Sequence, residues 1–101
     1  MTEPLVFRTP EGAVTVTAGA LTELVARAAR SVDGARVRRP KRSIEIRHGD
    51  GRAAVTLELG AQYGVPLAEL ARTVQERVAE ALGQVSGLEV ERVDISLEEV
   101  S

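Results

Sequence analysis

The chain has 101 residues, 44% of them hydrophobic but only 2% aromatic, with a formal net charge of -2. That length is close to the common size of one domain and can hold a core without a metal or a disulfide. The lack of cysteine excludes disulfide staples and thiolate metal sites, and no apolar run approaches the ~18 residues of a spanning helix.

The small net charge conceals two unlike halves. From Arg27 to Arg52, nine basic residues stand against Asp33, Glu45 and Asp50, a balance of +6; from Ala53 to Ser101, three basic residues stand against nine acidic ones, a balance of -6. Such a division makes self-association, or binding to an anionic surface, physically reasonable. Solvated faces of a soluble domain would produce the same division. The opening Met1-Thr2-Glu3-Pro4-Leu5-Val6-Phe7 lacks the basic region and long apolar run of a signal peptide, so a cytoplasmic location is expected.

Residues 1–12 contain two prolines and little periodicity and read as a loosely ordered lead-in to a single domain over 13–101. Ala13-Val14-Thr15-Val16-Thr17 is short and β-branched, as a first strand would be. Leu21, Leu24, Val25, Ala28, Ala29 and Val32 then recur at three and four, predicting an amphipathic helix over about 18–32. Thr17 is placed to cap it, and Asp33-Gly34 to end it.

The stretch from Ala35 to Ser43 holds Arg36, Arg38, Arg39, Lys41 and Arg42 around Pro40. Proline bars it from a central strand, and crowded like charge resists close packing, so an exposed loop or edge segment is expected. Ile44 and Ile46, then Val55, Leu57 and Leu59, alternate with polar residues on either side of Gly49-Asp50-Gly51. This is the pattern of a β-hairpin with one apolar face.

Pro66 suits a first helical turn. Leu67, Leu70, Ala71, Val74, Val78, Ala81, Leu82 and Val85 form one stripe up to Ser86-Gly87, predicting a second helix over about 65–86, with Arg72 and Glu76 spaced to pair. The last strand changes phase: Leu88 and Val90 share one parity, whereas Val93, Ile95 and Leu97 share the other. Keeping both sets on one face requires an extra residue near Glu91-Arg92, a β-bulge, or else a strand that starts only at Arg92. The order is strand, helix, strand, strand, helix, strand. It predicts an α+β fold with two helices packed on one face of a mostly antiparallel sheet, for which ferredoxin-like topology is one solution.

No residue set has the makings of a catalytic, cofactor or metal site. His48 is the one histidine and has no convergent ligands or partner nucleophile. Gly83 and Gly87 lie at a helix end, where the dipole repels phosphate. The candidate partner-binding residues are therefore Arg36, Arg38, Arg39, Lys41 and Arg42. They could neutralise phosphates, which makes a small regulatory or nucleic-acid-binding module the competing function. Sheet-based RNA binders stack bases on aromatics, however, and this chain has only Phe7 and Tyr63, neither on a central strand.

Over about residues 12–100 the sequence resembles the alkaline shock protein family of bacterial envelope stress response proteins. The resemblance rests on Gly12-Ala13-Val14-Thr15-Val16-Thr17, Asp33-Gly34-Ala35, Leu57-Glu58-Leu59 running into Tyr63-Gly64, Leu70-Ala71 with Val74-Gln75 and Val78, and Gly87-Leu88 with Val90 and Val93-Asp94-Ile95. It departs where Ala35 replaces a usual valine, and where the 36–42 loop is unusually basic. The resemblance implies a non-enzymatic cytoplasmic protein with no cofactor. Such a protein would act by self-assembly into a homo-oligomer or by docking to a membrane-anchored protein partner.

Overall fold

A computed structural model describes residues 2–100; Met1 and Ser101, the outer ends of the expected lead-in and domain, lie outside the described residues. The elements in order are β1 (Leu5–Thr9), β2 (Gly12–Val16), α1 (Ala18–Arg30), β3 (Ala35–Arg36), α2 (Pro40–Ser43), β4 (Ile44–Gly49), β5 (Arg52–Gln62), α3 (Leu67–Ser86) and β6 (Glu89–Val100). The fold is α+β, with α1 and α3 packed on one face of the main sheet, as the two stripes require.

The centre is β5. Its alternate residues Ala53, Val55, Leu57, Leu59 and Ala61 are all buried, which accounts for the strict alternation of this stretch. β4 joins it antiparallel through the two-residue turn Asp50-Gly51, where φ is positive at both positions, 53° and 76°. A primed hairpin turn needs that geometry, and glycine supplies half of it without strain. On the other edge β6 runs parallel to β5 from Arg52 to Gln62. A parallel neighbour needs a long crossover, and α3 is that crossover.

The bulge expected near Glu91-Arg92 is present. Val90 lies beside Ala53 and Arg92 beside Ala54, so Glu91 is the extra residue. The slip restores phase, and Val93, Ile95 and Leu97 line up with Val55, Leu57 and Leu59 on the helix face.

Both helices begin and end by identifiable devices. The Thr17 hydroxyl accepts a hydrogen bond from the Ala20 N–H at 3.1 Å, and Leu21, Val25, Ala26 and Ala29 are buried. α1 stops at Arg30, before the expected Asp33-Gly34. Gly34 instead turns the chain at a φ of 90°, with Val65 so close that an added Cβ would lie 3.0 Å from its Cγ2. α3 follows directly after Pro66 and buries Leu70, Val74, Val78 and Leu82. The outlying members of its stripe, Leu67 and Val85, are exposed. Gly87 closes it with a φ of 71°, its N–H donating to the Gly83 carbonyl at 2.9 Å.

Two features differ from the sequence expectation. Residues 5–9 of the lead-in are not loose: they form β1, which pairs with β2 from Leu5↔Val16 to Thr9↔Gly12 as a separate two-stranded sheet. The expected first strand therefore exists but stands outside the main sheet, and the sheet order is not ferredoxin-like. Within the main sheet β3 and β4 pair antiparallel with β5, while the longest pairing, β5 with β6, is parallel.

Leu70 and Val74 are 4% and 0% exposed. Leu70→Ala should cost about 2–4 kcal/mol in chemical denaturation, with Val74→Ala somewhat less, because each leaves a cavity between α3 and the sheet. A loss under about 1 kcal/mol at Leu70 would contradict this packing.

Candidate interaction surface

A strand has two edges, and β6 occupies one edge of β5 along its whole length. β3 and β4 must therefore share the other. Arg36 lies opposite Gly60 and Ile44 opposite Leu57, so the two segments are one edge strand interrupted at residues 37–43. The interruption carries four of the five basic residues singled out in the sequence, Arg38, Arg39, Lys41 and Arg42; the fifth, Arg36, sits on β3.

Its backbone is pinned at several points. Val37 is buried, and its carbonyl accepts from Arg30 Nη2 at 3.0 Å. Arg39 adopts a left-handed φ of 50°, and its carbonyl accepts from the N–H groups of Arg42 at 2.8 Å and Ser43 at 3.1 Å. The Ser43 hydroxyl donates to the Arg38 carbonyl. Pro40 opens the single turn α2, where its missing N–H costs nothing. A pinned backbone with outward side chains leaves Arg36, Arg38, Arg39, Lys41 and Arg42 all exposed, and none has an ion-pair partner among the described residues.

Other cations of the basic half are paired. Arg27 and Arg30 approach Glu23 at 3.6 and 3.9 Å, Arg47 approaches Glu45 at 3.3 Å, and Arg52 approaches Glu91 at 3.5 Å. Arg72 makes no ion pair with Glu76; α3 is instead tied to α1 by Arg77 Nη1 donating to the Ser31 hydroxyl at 2.9 Å.

The acidic half is concentrated on β6, where Glu89, Glu91, Asp94, Glu98 and Glu99 are all exposed. Asp94 pairs with Arg92 at 3.1 Å and Glu91 with Arg52. Glu89, Glu98 and Glu99 have no ion-pair partner among the described residues. The cluster of Arg36 to Arg42 and the five acids of β6 thus lie toward opposite edges of one sheet, basic at β3–β4 and acidic at β6. Between them, a shallow cleft of about 420 Å³ is lined by Arg38, Glu58, Gly60 and Glu98 on the face away from the helices.

Conventional chemistry finds little here. Among the described residues no group of three or more His, Cys, Asp or Glu could hold a metal ion. His48 is half-buried, and its Nε2 lies 3.0 Å from the Glu3 carbonyl, so the ring fastens the N-terminal segment. Among the described residues no helix is long and apolar enough to cross a membrane.

Sequence reasoning missed the β1–β2 arm. Leu5 and Val16 at its base pack against the core, whereas Val6, Phe7 and Val14 are 56%, 39% and 41% exposed. The signal was present in Val6-Phe7-Arg8, the Thr9-Pro10-Glu11-Gly12 turn and the β-branched run after it. Because both faces of the arm meet solvent, there was no inward alternation to read.

These observations define a two-layer α+β protein whose distinguishing features lie on its sheet edges. Solved structures share the fold: two variants of the MamM C-terminal domain match with TM-scores of 0.57, in a copper form, and 0.53, in a zinc form, each at 18% identity. The first match covers 82% of this chain and 98% of that one, and the second 82% and 86%. No curated protein sequence matches. Residues 35–101 match the model of the alkaline shock protein 23 family, described as having a cell envelope-related function. The chain belongs to that family.

Arg39 supplies a test of the loop geometry. A left-handed φ costs a non-glycine residue about 1–2 kcal/mol, so Arg39→Gly should leave stability unchanged or raise it by up to about 1 kcal/mol. Gly34→Ala should lower it by more than about 1 kcal/mol, since it adds a strained φ to a tight contact with Val65. Thermal and urea unfolding of both variants measures the pair.

Proposed function

We propose that this protein is a non-enzymatic component of the cell-envelope stress response, acting by self-assembly or by docking to a membrane-anchored partner from a cytoplasmic position. The observation that carries this reading is the basic segment, with five exposed cations and no ion-pair partner among the described residues, on the edge opposite an acidic strand. Family membership supports the envelope connection. Unpaired like charges held on a pinned backbone repel one another, and an anionic surface relieves that repulsion. Such a surface is available as the acidic edge of another copy, an acidic partner protein or anionic lipid headgroups.

A second reading, a small regulatory or nucleic-acid-binding module, draws on the same segment. The fold offers no aromatic platform beside it, because Phe7 lies on the arm and Tyr63 in the turn after β5. Retention on heparin or RNA at physiological salt favours this reading, and elution at low salt the first.

The triple reversal Arg38→Glu, Arg39→Glu, Arg42→Glu tests the proposal directly. Self-association, or binding to vesicles rich in anionic lipid, should fall at least tenfold, with the largest difference from the parent at low salt. Each basic residue near such a surface is worth about 1 kcal/mol, within a screening length of about 8 Å. Unchanged association and unchanged vesicle binding would make the segment a solvated turn. All three side chains are exposed, so folding should survive.

A further inference from the structure

The outer edge of β6 is built to receive a strand. The Val100 carbonyl accepts from the Tyr63 N–H at 3.0 Å, which places Val100 among the β6 residues bonded to β5. In a parallel ladder such residues alternate. Arg92, Asp94, Ser96, Glu98 and Val100 therefore bond inward to β5, while Val93, Ile95, Leu97 and Glu99 turn their N–H and C=O groups outward. One outward group is satisfied: Gln75 Nε2 of α3 donates to the Val93 carbonyl at 2.9 Å. No described residue bonds to the outward groups of Ile95, Leu97 or Glu99. The helix-face side chains of Ile95 and Leu97 are only partly covered. Unpaired edges of this kind recruit strands.

The opposite edge of the molecule carries an element in need of a partner. Isolated two-stranded hairpins are marginally stable in water, yet the β1–β2 arm meets the core only at its base and presents Val6, Phe7 and Val14 to solvent. Its root is fastened to β4, where the Ile46 N–H donates to Thr2 Oγ1 at 3.0 Å and His48 meets the Glu3 carbonyl. A cleft lined by Thr2, Ala18, Lys41 and Arg42 places the basic segment beside that root. The arm and the five unpaired cations therefore share one side of the molecule, and the open β6 edge with unpaired Glu98 and Glu99 occupies the other. The arm cannot reach its own β6 edge, because the width of the sheet lies between them.

We propose that the β6 edge from Ile95 to Glu99 is the docking site for the β1–β2 arm of a second copy, with the neighbour's 36–42 segment set against Glu98 and Glu99. This specifies the contact for the self-assembly proposed above and rests on that reading. The occupant is a second copy because the chain itself carries an open strand edge, an unpartnered hairpin and complementary unpaired charges on opposite sides. The contact is heterologous: each copy gives an arm and receives one.

The test uses complementation in the full chain. Phe7→Glu with Val14→Glu spoils the arm at two exposed positions. Glu98→Lys with Glu99→Pro spoils the edge, since proline at 99 removes an outward N–H and leaves the ladder to β5 intact. Circular dichroism and melting temperature first establish that both variants fold; Glu98→Lys with Glu99→Lys replaces the edge variant if proline disturbs it. By analytical ultracentrifugation at low salt, each variant alone should associate at least tenfold more weakly than the parent. An equimolar mixture should form dimers and nothing larger, because only one intact arm and one intact edge remain. A mixture that stays monomeric overturns the proposal. So does an arm variant that still associates as the parent does, which would indicate edge-to-edge pairing. If the parent itself stays monomeric, the self-assembly reading fails with it, whereas a parent that associates beside variants that associate equally well removes the arm-to-edge contact alone.

Discussion

The main sheet and the two long helices are positioned by β5, which uses both of its edges and one entire face. Its inward residues form the floor on which α1 and α3 rest, and each fully buried side chain such as Val55 or Leu57 contributes about 1.5–3 kcal/mol by removal from water. One edge is given to β6 over eleven residues of register and the other to β3 and β4. Once β6 is parallel, the chain must cross over, and α3 is placed above β6 as a consequence. Once β3 and β4 share an edge, the residues between them must leave the sheet plane. The projection of 37–43 is thus a geometric result of how β5 is paired.

That same geometry separates charge. Where strands bring opposite charges side by side the protein pairs them, as with Arg52 and Glu91 across β5 and β6. Such exposed pairs are worth only about 0.2–1 kcal/mol each, so they do not determine the fold. Their value lies in contrast: Arg27, Arg30, Arg47 and Arg52 are paired with carboxylates, whereas the five cations of the 36–42 segment have no ion-pair partner among the described residues. The unpaired carboxylates Glu98 and Glu99 lie on the far edge, two strand spacings or roughly 10 Å away, about one screening length.

Much of this was legible in the sequence because its causes are local. Helix stripes, the Thr17 cap, the Asp50-Gly51 turn and the phase break at Glu91 each follow from rules that act within a few residues. Strand order is different. Alternation in β6 shows which side chains face inward but not whether the strand runs parallel to β5 or antiparallel. The separation of β2 from the main sheet is equally silent, since Ala13–Thr17 reads as a strand wherever it pairs. β3 has two residues and α2 a single turn, too short for periodicity to register, and Arg39 takes a left-handed conformation with no glycine to announce it. The candidate surface was legible in the same proportion. Five cations within seven residues are plain from the sequence, but their placement opposite the acidic strand depends on sheet order.

The polar face of the sheet bears on what the edges can do. Glu45, Arg47, Thr56, Glu58, Arg92, Asp94 and Glu98 occupy the face away from the helices, by the alternation of their strands with the buried set. A face of that composition loses hydration when covered and gains little apolar burial in return. Stacking of two such sheets face to face is therefore disfavoured. Edges carry no such penalty, because outward N–H and C=O groups exchange water for equivalent partners and the side chains flanking them remain solvated. Assembly through edges also leaves α1 and α3 undisturbed, so the core that holds each molecule together is independent of whether its neighbours are present.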